Sequence, residues 1–408
     1  MLKYKRISNW VFAAALATGC ASMAHAAVDA KLPWSERMAD SIMVRQPRGV
    51  MIENAANGPP KWSYSTSFCV RAVTQVGLGK GAAGEKYLKY GEDYLAAFMN
   101  AEGVIGRAYD LKGYRLDDIA PGQLILMLWA QTKQDKYQKA ALQLAEQFKT
   151  QPRVEGGGFW HKEIYPNQMW LDGIFMDSPF MARLGATTNQ PAWFDEVTKQ
   201  ITLMASHSQD PKTGLCYHGW DASPPGKKER WADPTTGLSK CFWGRGMGWY
   251  MAGIVDSLDY LPENHPQRGA VIDILRKAAA GVAGVQDAKS GLWYQVLDQG
   301  DRAGNYKESS ASSMFVYVLA KGTRKGYLDA KYLDIAKKGY AGILKDLIDV
   351  DTATGLVTLK DTCAVAGLGA NPYRDGSYEY YLREPRVSND PKGMAPFILA
   401  SLELETAK

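Results

Sequence analysis

Cysteine is scarce in this sequence: five among 408 residues, no two of them placed as a CxxC pair. That spacing gives no case for a structural zinc site, and neither a metal nor a cofactor is expected. No block of lysines and arginines occurs either, which removes the usual footprint of a nucleic-acid binder. Past residue 26 no apolar run is long enough to span a bilayer, so no transmembrane segment is expected in the mature chain. Alternating strand patterns are few and short. What remains is helix.

The first 26 residues read differently. Lys3, Lys5 and Arg6 precede an apolar run that ends in the small-residue site Ala24-His25-Ala26, the layout of a secretory signal peptide cut before Ala27. Its loss lowers the formal net charge from +5 to +2, because those three basic residues leave and no acid does. The product is expected to be exported, periplasmic or secreted. Cys20 in "ATGC" is a minority alternative as a lipoprotein site, with Leu16 one place too early for it. Export permits disulfides; Cys216 with Cys241 is the first pair to test, against four free buried thiols.

With 46% hydrophobic residues, the remaining 27–408 can bury a large core. Helical stripes recur along it. Tyr137, Ala141, Leu144 and Phe148 lie on one face, as do Val271, Leu275, Ala278 and Val282 after Pro266, placed where a first turn tolerates proline. Between such stripes stand "DPKTGLCY", "DAKSGLWY" and "DTATGLVT", which share Asp-x-x-(Ser/Thr)-Gly-Leu. Each is expected to be an Asx-type turn closed by a positive-φ glycine. Gly214, Gly291 and Gly355 stand 77 and 64 residues apart, about one helix pair per interval, and "VEGGGFWHKE" precedes them by a similar step. Helical hairpins returning to one side describe a closed ring or an open solenoid, and the unlike loops favour a ring around one asymmetric site.

The 12 tryptophans and 22 tyrosines cluster beside polar groups in "GFWHK", "CYHGWD", "CFWGRGMGWY", "GLWYQ" and "YEYYLREPR". Aromatic platforms with nearby acids and bases suit the apolar C–H faces and hydroxyl rims of sugars, whereas any one cluster alone could be core. Four groups stand out. Asp172 in "QMWLDGIFM" is an acid in a run that otherwise reads as core, where an unpaired carboxylate costs several kcal/mol, so it needs a partner or a use. Asp117 and Asp118 precede Pro121 and could instead cap the next helix. His218 follows a turn glycine between Tyr217 and Trp220. Arg245 and Trp249 are four apart on an expected helix after Gly244 and could hold a carboxylate against a ring; the alternative is an ion pair with a helix-end carboxylate.

The blocks "GFWHKEIYPNQMWLDGIFMDSPFMARLG", "YHGWD", "FWGRGMGWYMAGIVDSLDYLP", "ESSASSMFVYVLAKGTRKGYL" and "YEYYLREPRVSNDPKGMAPFILASLELE" together resemble glycoside hydrolase family 105, the unsaturated rhamnogalacturonyl hydrolases of pectin degradation. The resemblance implies an all-α, six-hairpin (α/α)6 toroid as a single catalytic domain over 27–408. It implies an oligosaccharide substrate with a Δ4,5-unsaturated uronic acid at its non-reducing end, galacturonyl or glucuronyl. Asp172 matches the family's general acid/base. Asp117, Lys162, His218, Arg245 and Trp249 match residues that bind or orient the sugar, and Trp62 and Tyr64 in "KWSYS" are further lining candidates. Hydration of a vinyl ether needs one group that gives a proton and takes one back, and a desolvated carboxyl serves. Trp170, Leu171 and Ile174 are expected to limit water around Asp172 and hold its pKa up. The competing expectations are a two-carboxylate glycosidase using Asp117 and Asp172, and a sugar-binding protein without turnover.

Overall fold

The computed structural model describes residues 28–47 and 61–406; the expected leader and Cys20 lie outside them. Among the described residues thirteen α-helices follow in chain order: α1 Trp34–Arg45, α2 Tyr64–Val76, α3 Glu85–Ala96, α4 Gly122–Thr132, α5 Asp135–Ala145, α6 Leu171–Thr188, α7 Ala192–Ser208, α8 Gly244–Ser257, α9 Arg268–Gly284, α10 Ser309–Arg324, α11 Lys331–Gly342, α12 Tyr378–Arg383 and α13 Pro391–Thr406.

The distribution of apolar residues sorts these helices into two layers. Every residue of α8 is buried, and nearly every one of α2, α10 and the first half of α6. A helix apolar all round must be covered all round. In α9 only one stripe is buried, including Val271, Leu275, Ala278 and Val282, so it belongs outside. The inner helices α2, α4, α6, α8, α10 and α13 contact one another in that cyclic order, and α13 closes back on α2. The outer helices α1, α3, α5, α7, α9 and α11 alternate with them along the chain. The fold is the expected (α/α)6 toroid, and the solenoid alternative is discarded. The α9 helix begins two residues after Pro266, with Gln267 as its cap, so the proline does not occupy the first turn.

Backbone devices keep the ring tight. A Cβ on Gly253 of α8 would stand 2.8 Å from the carbonyl oxygen of Ile174 on α6, so a side chain there would push the two inner helices apart. Pro179 inside α6 has no N–H for the Phe175 carbonyl; Gln123 Nε2 of α4 donates to it instead, at 2.8 Å. One turn beyond Gly253, Asp256 of α8 meets Lys321 of α10 at 2.7 Å and Arg71 of α2 at 3.2 Å, all three buried. Burial alone would raise this carboxyl, but the two cations and its hydrogen bonds hold it down at about 2.

Among the described residues strands occur only as short pairs in the connections. Here β1 Gln168–Trp170 pairs with β2 Gly219–Asp221, β3 Ile348–Val350 with β4 Val357–Leu359, and β5 Thr362–Cys363 with β6 Arg386–Val387, all antiparallel. The glycine turns form as expected. In each, the glycine N–H returns to the aspartate carbonyl at 2.8 Å, and Gly214, Gly291 and Gly355 have φ of +77°, +76° and +72°. A fourth copy, Asp233 to Leu238, has the same geometry with Gly237 at +77°. It lies in the same α7–α8 connection as the Asp210 turn, so the expected interval of one turn per helix pair passes over it. Cys69, Cys216, Cys241 and Cys363 are all free and buried. The expected Cys216–Cys241 bridge is absent because the two pack in different clusters, Cys216 in the main core and Cys241 with Trp243, Val296 and Tyr381.

Candidate active site

The inner helices start at the end of the ring where the outer-to-inner connections return, and the candidate residues gather there. Asp172 sits in the first turn of α6 and not in its apolar middle, where the helix N-terminus favours an anion. The ribbon of β1 and β2 then sets its partner, because Trp170 pairs with Gly219 and Leu171 N donates to the His218 carbonyl at 3.0 Å. His218 Nε2 consequently lies 3.2 Å from Asp172 Oδ2. The two atoms face each other at ion-pair distance, and neither has another hydrogen-bond partner.

Burial, the strongest influence on the Asp172 carboxyl, pushes it up. The hydrogen-bonding contact with His218 comes next and, with the electrostatic influence of His218 and His161 and a backbone N–H, outweighs burial and brings it below the ordinary carboxylate value. The expectation that Trp170, Leu171 and Ile174 keep its pKa high is therefore corrected. Those neighbours exclude water, but two histidines and the helix start set the sign.

Asp117 and Asp118 form a short 3₁₀ turn before α4, and neither caps that helix, whose cap position is Pro121. Asp117 Oδ2 accepts from Lys162 Nζ at 2.6 Å, and its Oδ1 stands 3.5 Å from His161 Nε2. Asp118 makes no side-chain contact of that kind. Its carboxyl rises to about 6, through burial and then the neighbouring Asp117 charge, while its carbonyl accepts from Trp62 Nε1 at 3.0 Å. Burial would lower the Lys162 ammonium, yet Asp117 keeps it above the ordinary lysine value. His161 is driven down to about 4 by burial, so it is neutral at ordinary pH, and its ring stacks on Trp170 at 4.6 Å.

The exposures separate two roles. Asp117, Lys162 and Asp172 keep 15%, 21% and 13% of their side chains open, whereas His218 and Arg245 are closed at 0% and 1%. Arg245 Nη1 donates to Cys363 O and Ser310 Oγ and lies 3.8 Å from Glu308 Oε1, the side chain that caps α10. The helix-end carboxylate considered from sequence is thus present, and the buried Arg245 Nε has no hydrogen-bond partner. Trp249 is buried one turn deeper, edge-on to Tyr64 at 6.1 Å and against Phe68 and Phe175. The contacts run continuously from Asp117 through Lys162, His161 and Trp170 to His218 and Asp172, then through Trp243 to Arg245. His161, Glu308 and Tyr381 were not singled out in the sequence. His161 adjoins Lys162 in "GFWHK" and was within reach; the other two become visible only when distant segments meet.

Residues 34–408 match the model of Glycosyl Hydrolase Family 88. The chain belongs to that family. Among solved structures, this family 88 chain superposes with a TM-score of 0.85 on a family 105 glycoside hydrolase from C. acetobutylicum ATCC 824, 39% identical, covering 92% of this chain and 100% of the other. It is 28% identical to the unsaturated rhamnogalacturonyl hydrolase YesR of Bacillus subtilis over 72% of this chain and 78% of that one. It is 36% identical to Protein Atu3128 of Agrobacterium fabrum over 56% of this chain and 97% of that one. Family and fold make it a glycoside hydrolase. No helix among the described residues is long and apolar enough to cross a membrane.

Proposed function

We propose that this enzyme hydrolyses oligosaccharides carrying a Δ4,5-unsaturated uronic acid at the non-reducing end, in the manner of family 105, with the galacturonyl-rhamnose unit of lyase-treated rhamnogalacturonan as its substrate. The observation that carries the reading is a partly open Asp172 backed by a closed histidine, beside a lysine–aspartate pair that is also open. Asp172 delivers a proton to the double bond, water adds at the neighbouring carbon, and the carboxylate accepts a proton back; the hemiketal then opens and releases the next sugar. Lys162 supplies positive charge toward the uronate, and Arg245 and Trp249 form the floor beneath it.

Two observations favour one working acid over the two-carboxylate scheme. Asp117 is engaged by Lys162 at 2.6 Å, which suits a positioning anion and not a proton donor, and Asp172 has its own histidine. The likeness to YesR supports the choice of galacturonyl over glucuronyl substrate. Export rests on the leader pattern in residues 1–26. The test is the ultraviolet absorbance of the conjugated double bond across lyase-generated oligosaccharides and their saturated counterparts. Loss of absorbance with release of the next sugar, confined to unsaturated substrates, is expected; equal cleavage of saturated ones would refute hydration.

A further inference from the structure

A hydroxyl contacts the far side of His218. Nδ1 lies 2.7 Å from the phenol oxygen of Tyr381, on the short helix α12, 163 residues further along the chain. Both side chains are fully closed to solvent. Tyr381 is held firmly: its ring stacks on Trp243 at 5.9 Å and 17°, its carbonyl accepts from Gln295 Nε2 at 3.1 Å, and Ser377 caps its helix. Gln295 Oε1 in turn accepts from Trp243 Nε1 at 3.2 Å. Three side chains therefore lock the phenol against one ring nitrogen.

Protons can be assigned along this line by satisfiability. A buried phenol hydrogen needs an acceptor, and among the described residues the Tyr381 hydroxyl has one neighbour that can accept, His218 Nδ1. On the other side of the ring, Nε2 and Asp172 Oδ2 are both buried without further partners, so one proton must lie between them. If Tyr381 donates to Nδ1, the ring proton is on Nε2 and faces Asp172. The opposite tautomer would leave the phenol hydrogen stranded and set two lone pairs face to face.

We propose that Tyr381 is a positioning residue that fixes His218 as its Nε2–H tautomer, with that N–H toward Asp172. This rests on the assignment of Asp172 as the acid/base. Its consequence for turnover is specific: the ring's Nε2–H donates to the Asp172 carboxylate whenever the proton is on the substrate, and offers no competing acceptor. Tyr381 itself keeps its proton, since burial raises it far above the ordinary phenol value. The other ionisable groups facing the pair are His161 ahead of β1, Asp117 with Lys162 on the open side, Arg245 on α8, and Tyr380 with the thiols of Cys241 and Cys363 around the phenol.

Neutron diffraction from the deuterated wild-type protein reads the protons directly. Deuterium on His218 Nε2 alone, with the Tyr381 O–D aimed at Nδ1, is the expected result; deuterium on Nδ1 overturns the proposal. Tyr381→Phe, checked for native thermal unfolding, is expected to lower kcat about ten- to a hundredfold, the scale of losing an outer partner of a site residue. KM should change little, and the limb of the pH–rate profile belonging to Asp172 should move to higher pH, because an Nδ1–H ring no longer donates to the carboxylate. An unchanged profile in a folded variant overturns the proposal. If the variant does not fold, the wild-type neutron map decides alone. If Asp172→Asn retains activity, the functional assignment fails, and the map still reports whether Tyr381 sets the tautomer.

Discussion

Lys162 Nζ lies 2.6 Å from Asp117 Oδ2 at the open end of the ring, where both side chains keep some contact with solvent. An ammonium that already has a carboxylate partner is held in place without being fully spent, since it has three donors and, among the described residues, pairs with Asp117 alone. A substrate carboxylate arriving beside it would find an ordered cation. Lys162→Ala is expected to reduce kcat/KM about ten- to a hundredfold, the worth of one charge-assisted hydrogen bond, mostly through KM. Initial rates against substrate concentration separate the two terms; a fall confined to kcat would place Lys162 in the chemical step instead.

Removal of the acid itself should be far more costly. Asp172→Asn preserves the shape and the first turn of α6, so the protein should fold normally while turnover falls roughly two to four orders of magnitude. Stopped-time assays with an excess of variant, accompanied by thermal unfolding, measure both. Near-normal turnover would remove Asp172 from its assigned role.

A second acid in the same helix, Asp177, is the one that burial governs. It is closed to solvent, accepts from Ser178 Oγ at 2.6 Å, and rises to about 8, chiefly through desolvation. The folded value is above the unfolded one of about 3.9, so between them the folded protein holds a proton that the unfolded chain has released. Its contribution is complete below about pH 4 and lost as pH climbs toward about 8. Asp177→Asn should flatten that part of the profile. Midpoints of urea unfolding at several pH values give the slope, and an identical slope in the variant would mean that Asp177 is ionised in the fold.

The four cysteines in the described residues are free, so a reductant should not lower the melting temperature, and four thiols should titrate in a denatured chain that lacks residues 1–26. Two thiols would restore the Cys216–Cys241 bridge.

Some of this was legible in the sequence and some was not, for physical reasons. Stripes such as Val271 to Val282 and the Asp-x-x-Thr-Gly-Leu turns carry local information, and they led to a ring of hairpins with an asymmetric site. Asp172 was singled out because an acid among apolar residues is locally anomalous. The direction of its titration was not legible, since it depends on His218 and His161, brought to it by the ribbon of β1 and β2. Arg245 illustrates the same limit. Its helix and its neighbour Trp249 could be read four residues apart, whereas Glu308, which caps a different helix, enters only through folding.

The six inner helices all begin at the site end of the ring. Each helix start carries roughly half a positive charge from its unsatisfied N–H groups. Arranged around one opening, they place partial positive charge at its centre that belongs to the backbone and survives replacement of any one lysine or arginine. An anionic sugar seated in the opening would meet these helix starts at close range, while the outer helices, which run the other way, finish at the rim with the opposite sign.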